Sequence, residues 1–147
     1  MIYIIQNIWA ILAGTVAGFA FGAGYFTLLK KPWMQAARLS EADLSGPGGK
    51  VSPAPYIVTF AAEFWIASIL AGALILAPVE AGIWTITVVT PIILWIGFVM
   101  PAMLVNNSFE RRPFSLFAIN AGHWLGALVI QAVVIRLVGV SAPVAAP

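Results

Sequence analysis

Two ionisable side chains lie deep inside apolar stretches of this chain. Glu63 belongs to the stretch Pro55 to Ala77, and His123, the single histidine, to the stretch Phe114 to Val140. At the rise of an α-helix, Glu63 falls roughly 12 Å and His123 roughly 13 Å from the starts of those stretches. A carboxyl and an imidazole at one level, shielded together, make a pair able to hold or pass a proton. Left alone, an ionised carboxylate at the centre of a membrane helix costs on the order of 3 kcal/mol on insertion scales. The spacing therefore predicts that Glu63 and His123 face a common interior, within reach of each other directly or through water.

Other polar residues fall near them. Asn120 precedes His123 by one helical turn and shares its face, and Asn106, Asn107 and Glu110 form a second group at the end of the stretch Ile83 to Val105. With Tyr25 they make a ring of amide, carboxylate and imidazole groups toward one end of a bundle. Such a ring has three readings: an internally satisfied network that fixes helix register, a proton-handling centre, or a binding site for a small polar ligand. One histidine among amides and isolated carboxylates lacks a metal-ligand spacing, so neither a metal nor a cofactor is expected. The chain has no cysteine and no nucleophile paired with a base at useful spacing, which leaves an enzyme the least supported class.

The elements that must position these residues follow from hydropathy. Four stretches, Ile2 to Leu29, Pro55 to Ala77, Ile83 to Val105 and Phe114 to Val140, are each long enough to cross a hydrocarbon core of ~30 Å as a helix. Apolar residues make up 62% and charged residues 8% of the 147, against roughly 25% charged in soluble domains. The fold expected is a single all-α transmembrane four-helix bundle. A first stretch that leads into Lys30-Lys31-Pro32-Trp33, with no basic region before it and no small-residue cleavage site, is expected to be retained. Lys30, Lys31, Arg38 and Lys50 fall in the first connection and Arg111 and Arg112 in the third, whereas the second connection, the start and the tail from Ser141 carry none. The positive-inside rule puts the basic connections in the cytoplasm and both termini outside. A net charge of +2 is too small to point to a nucleic-acid partner. The partner expected is the bilayer, with a second copy or a larger membrane complex left open.

Small residues mark the packing faces. Ala10, Gly14, Gly18 and Gly22 recur every fourth position, Ala118, Gly122 and Gly126 repeat the device, and Ser68 and Gly72 offer a shorter version. Such strips let helices approach closely, within this bundle or against a neighbour. Pro91 and Pro101 each free the carbonyl four residues earlier, so kinks are expected, with Thr85, Thr87 and Thr90 available as compensating hydroxyls. In the first connection, residues 31–39 suit a short interfacial helix with Trp33, Ala36 and Ala37 on one side. Ser40 and Asp43 then have the spacing of a helix cap, and Ser45-Gly46-Pro47-Gly48-Gly49 is a breaker expected to be mobile. Glu110 is placed to pair with an arginine, Pro113 to start the last helix, Arg111 and Arg112 to anchor topology or attract anionic lipid, and Arg136 to snorkel or meet Glu80.

The run Asn106-Asn107-Ser108-Phe109-Glu110-Arg111-Arg112-Pro113, continued through Asn120-Ala121-Gly122-His123-Trp124, resembles the signature of the bacterial membrane family of domain of unknown function 1761. The likeness covers nearly the whole chain. It departs at Gly22-Ala23-Gly24-Tyr25, where that family has a Trp-Tyr-Ser-Pro run. The resemblance implies a small four-helix integral membrane protein and carries no activity. Two functions are consistent with the residues: a non-catalytic packing or accessory subunit, and an oligomeric proton-coupled transporter using Glu63.

Overall fold

The computed structural model describes residues 2–45 and 51–142, so Lys50, the breaker residues 46–49 and the tail from residue 143 lie outside the described residues. Seven α-helices appear among them: α1 (Ile2–Gln6), α2 (Ile8–Leu28), α3 (Lys30–Ala37), α4 (Ala54–Leu76), α5 (Ile83–Leu94), α6 (Met100–Phe109) and α7 (Phe114–Val138). A π-helical turn, Trp95–Val99, joins α5 to α6 into one span of 27 residues. This gives four helices long and apolar enough to cross a membrane, arranged as an all-α bundle, with α3 as the short helix of the first connection.

The expected boundaries shift in three places, each for a local reason. The first stretch breaks at Asn7, whose side chain donates to Tyr3 O at 2.8 Å and to Ser141 O at 3.0 Å and accepts from the Ser141 N–H at 2.9 Å. That clasp holds the start of the first helix against the chain just beyond the last one. The third span runs four residues past Val105 to Phe109, which puts Asn106 and Asn107 on its final turn. The last helix stops at Val138 because Gly139 takes φ 106°, a conformation costly for other residues. Pro113 sits immediately before α7 in extended conformation, where the helix needs no N–H from it.

α7 is the centre of the packing. It touches α2, α4, α5, α6 and α3, whereas α2 packs on α4, α7 and α3 and makes no contact with the third span. The core is built from small and medium side chains: Ala10 and Ile11 of α2, Ala67, Leu70, Ala71 and Leu74 of α4, and Leu128, Ala132 and Ile135 of α7. Alanine at these positions lets backbones come close, so dispersion and interhelical hydrogen bonds can act where lipid offers no hydrophobic drive. The third span is peripheral. Of its residues only Ile86, Thr87 and Pro91 are buried.

Hydrogen bonding widens where proline interrupts it. In the π-helical turn before Pro101 the Met100 N–H donates to Trp95 O, a longer reach than the α-helical pattern, and the Trp95 indole donates to Ala121 O of α7 at 2.9 Å. Thr87 does not serve the carbonyls that proline frees. Its hydroxyl donates to Ile83 O at 2.7 Å and accepts from Arg136 Nε at 3.1 Å. Arg136 thus meets α5 and not Glu80, which is exposed beyond the helix end.

Candidate functional site

The glycine strips interlock with larger side chains of the facing helix. A methyl group at Gly14 would lie 2.8 Å from Ile135 Cγ1, one at Gly18 would lie 2.7 Å from Glu63 Oε2 and 2.8 Å from Gln131 Nε2, and one at Gly22 would lie 2.7 Å from His123 Nε2. In return, Gly122 receives the Tyr25 hydroxyl, at 2.9 Å from such a methyl, and Gly126 receives the ring of Phe21. Gly72 takes up Tyr3, at 3.0 Å on the same measure. Ala118 stands on the exposed side. These glycines face neighbours inside the chain, and two of them open the space that Glu63 and His123 occupy.

Glu63 is 1% exposed. Its partner is Gln131 of α7, whose side-chain amide donates to Glu63 Oε2 and, at 3.2 Å, to the Glu63 backbone carbonyl. Three helices build this level: α4 brings the carboxyl, α7 the amide, and α2 the glycine that leaves room for both. The pair leaves Glu63 Oε1 and Gln131 Oε1 buried with no partner among the described residues. Both are acceptors. A proton on the carboxyl, or a water between the two oxygens, is the chemistry that would satisfy them.

His123 is buried one turn away along α2, and it makes no direct bond to Glu63. No hydrogen bond or ion pair joins His123 to Glu63 among the described residues. Its ring lies among Phe21, Tyr25, Phe26 and Trp124, with centroids at 6.1, 5.8, 4.8 and 5.2 Å, against Gly22. Equal depth was measured from the two helix starts, but those starts are not level. Glu63 meets the residue eight positions beyond His123 on α7, an offset of roughly 12 Å along the axis. Along α2 the two groups sit at Gly18 and Gly22, one turn apart.

The remaining polar residues gather at the basic end. Asn106, Asn107, Glu110 and Asn120 line one pocket of about 180 Å³ together with Met103, Leu116 and Phe117. Asn107 Nδ2 donates to Arg112 O at 3.1 Å, and Glu110 Oε2 lies 3.8 Å from Arg112 Nε. The Arg112 guanidinium also donates to Ala37 O at 3.2 Å, which ties the turn between α6 and α7 to the end of α3. Arg111 is exposed with φ 54°, and Lys31 is exposed on α3. Lys30 pairs with Glu41 at 2.8 Å on the surface, and the Tyr25 hydroxyl donates to Ile119 O at 3.0 Å. The single ring expected from the sequence is therefore three separate groups: an acid and amide pair at mid-bundle, a histidine among aromatics, and a pocket at the end.

Three polar positions escaped the sequence reading. Gln131, fully buried, is the partner of the deep carboxyl, and it had a signal: it is an amide in the middle of an apolar span. Asn7 and Trp95 fasten helices by side-chain hydrogen bonds to backbone groups, and backbone partners leave no mark in a sequence.

The bundle defines a class: an all-α protein of four membrane-length helices with a sealed polar level between three of them. The family model described as "Protein of unknown function (DUF1761)" matches residues 9–136, and the chain belongs to that family. No curated protein and no solved structure matches the chain.

Proposed function

We propose that this chain is a bacterial inner-membrane protein with a non-catalytic, accessory role, in which Glu63 and Gln131 lock the register of three helices. One observation carries the reading: the deep carboxyl is bonded to an amide of the neighbouring helix and closed in by Gly18, with 1% of Glu63 exposed. A coupling carboxyl needs a path for protons and substrate, and Glu63 does not line the pocket at the basic end. The peripheral third span offers the face for a second copy or a larger membrane assembly, since its outer side carries Val89, Ile93, Ile96 and Phe98. Both termini lie on the periplasmic side in this reading, with α3 and the two basic connections in the cytoplasm.

A second reading, an oligomeric proton-coupled transporter, is favoured by the unpartnered Oε1 atoms of Glu63 and Gln131. Glu63→Gln in reconstituted vesicles separates the two. An amide at position 63 still pairs with Gln131, so the accessory role predicts unchanged folding and assembly and no effect on pH-driven flux. Loss of a substrate-dependent proton flux in a well-folded Glu63→Gln protein would overturn the accessory role.

A further inference from the structure

We propose that Glu63 holds a proton between its own Oε1 and the Oε1 of Gln131, closing a cyclic acid–amide pair, and that α4 loosens from α7 when base removes this proton. Such a proton makes the register lock assigned to the pair, on which the proposal rests, sensitive to base. The Gln131 amide directs its N–H groups at Glu63, to Oε2 and, at 3.2 Å, to the backbone carbonyl. Two oxygens remain on the same two head groups, each an acceptor, buried and without a partner among the described residues. The buried hydroxyls of α2 and α4 are engaged within their own helices, Thr15 donating to Ile11 O and Ser68 to Phe64 O, both at 2.8 Å. One proton on the acid turns one of the two acceptors into a donor for the other. Turning the amide about changes which oxygen of the acid carries the proton and not the need for it.

Charge balance points the same way. α4 packs against α1, α2, α5 and α7, and the titratable or charged side chains on those helices are Tyr3, Tyr25, His123 and Arg136. None of them meets Glu63. Tyr3 packs at Gly72, the Tyr25 hydroxyl donates to Ile119 O, His123 sits at Gly22 among aromatic rings, and Arg136 donates to Thr87. On α4 itself, Tyr56 is exposed in the first turn. An ionised Glu63 would therefore be a buried charge with no counter-charge among the described residues, a state that proteins avoid by neutralising the group. A water donates to both oxygens and leaves that charge in place. A proton removes the charge and satisfies both oxygens together.

Infrared spectroscopy of the folded protein reads the proton, because the carbonyl stretch of a neutral carboxyl stands apart from those of carboxylates and amides. The other acidic side chains, Glu41, Asp43, Glu80 and Glu110, are exposed, and loss of the band in Glu63→Gln assigns it to the buried acid. The band is expected at neutral pH and should disappear in base together with stability, a measurement on the unmodified protein that needs no variant. Wherever the folded state keeps a proton that the unfolded chain has released, the folding equilibrium falls by about tenfold for each pH unit of rise. Stability is thus fully present in acid and lost toward base. Glu63→Gln pairs with Gln131 as a neutral amide and should lack that slope. Absence of the band at neutral pH, parallel pH profiles for the unmodified protein and Glu63→Gln, or stability that follows sodium or potassium at constant pH would overturn the proposal. The register lock itself fails on a different observation, an unchanged unfolding equilibrium in Gln131→Leu.

Discussion

At the scale of the residue, the cost of burying a carboxyl decides what surrounds it. An interhelical hydrogen bond within a membrane is worth about 0.6 kcal/mol on average, but a buried charged or polar group stripped of its partner costs about 1–3 kcal/mol. Gln131→Leu should therefore destabilise the bundle by more than the bond itself contributes. The double variant Glu63→Leu/Gln131→Leu should recover part of that loss, because it leaves no orphan behind. Unfolding in graded detergent denaturant measures both, and equal losses in the single and double variants would contradict the pairing. Outside the membrane, Asp43 accepts from the Ser40 N–H at 2.7 Å and the Ser40 hydroxyl at 2.5 Å, bonds that hold its carboxyl below the usual carboxylate range. A lowered value in the folded state means that this turn gains stability above the ordinary carboxylate value and loses it as pH falls through the folded one. The protection of the Ser40 amide, its exchange rate relative to that of an unstructured amide at the same pH, should accordingly be lost in acid, and Ser40→Ala should return the Asp43 titration toward its ordinary value.

At the scale of the element, close approach is what the glycines supply. The ring of Phe21 fills the place of a side chain at Gly126, while nothing stands within 4 Å of a methyl at Gly97 in the π-helical turn. Gly126→Ala should cost about 1–3 kcal/mol, the range for overfilling a packed interior, and Gly97→Ala should cost nothing measurable in the same unfolding assay. The four spans, the short helix with Trp33, Ala36 and Ala37 turned to one side, and the Ser40 to Asp43 cap were legible in the sequence, because hydropathy, helical spacing and capping chemistry are properties of neighbours along the chain. The pairing of Glu63 was not. It depends on how far one helix is slid along another, and α7 is slid by two turns relative to α4. The glycine strip at positions 14, 18 and 22 held that register implicitly, but only the side chains opposite show which level each glycine serves.

At the scale of the whole molecule, the clasp between Asn7 and Ser141 brings both ends of the described chain to one end of the bundle, opposite the pocket and α3. Two helices run each way, so the connections with Lys30, Lys31, Arg38, Arg111 and Arg112 share the other end. The charge difference between the two ends biases insertion, because Lys and Arg in short connections are retained on the cytoplasmic side. Since the chain has no cysteine, single cysteines report the sidedness without background. Ala81→Cys and Ser141→Cys, both at exposed positions, should react with a membrane-impermeant maleimide in intact cells. Ser45→Cys, exposed on the basic side, should react only once the membrane is opened. Neutralising Arg111 and Arg112 together should weaken the bias and give a mixed population, visible as partial labelling at Ser45→Cys. The reverse pattern, with Ser45→Cys labelled from outside and Ser141→Cys protected, would place the basic end on the outer side of the membrane.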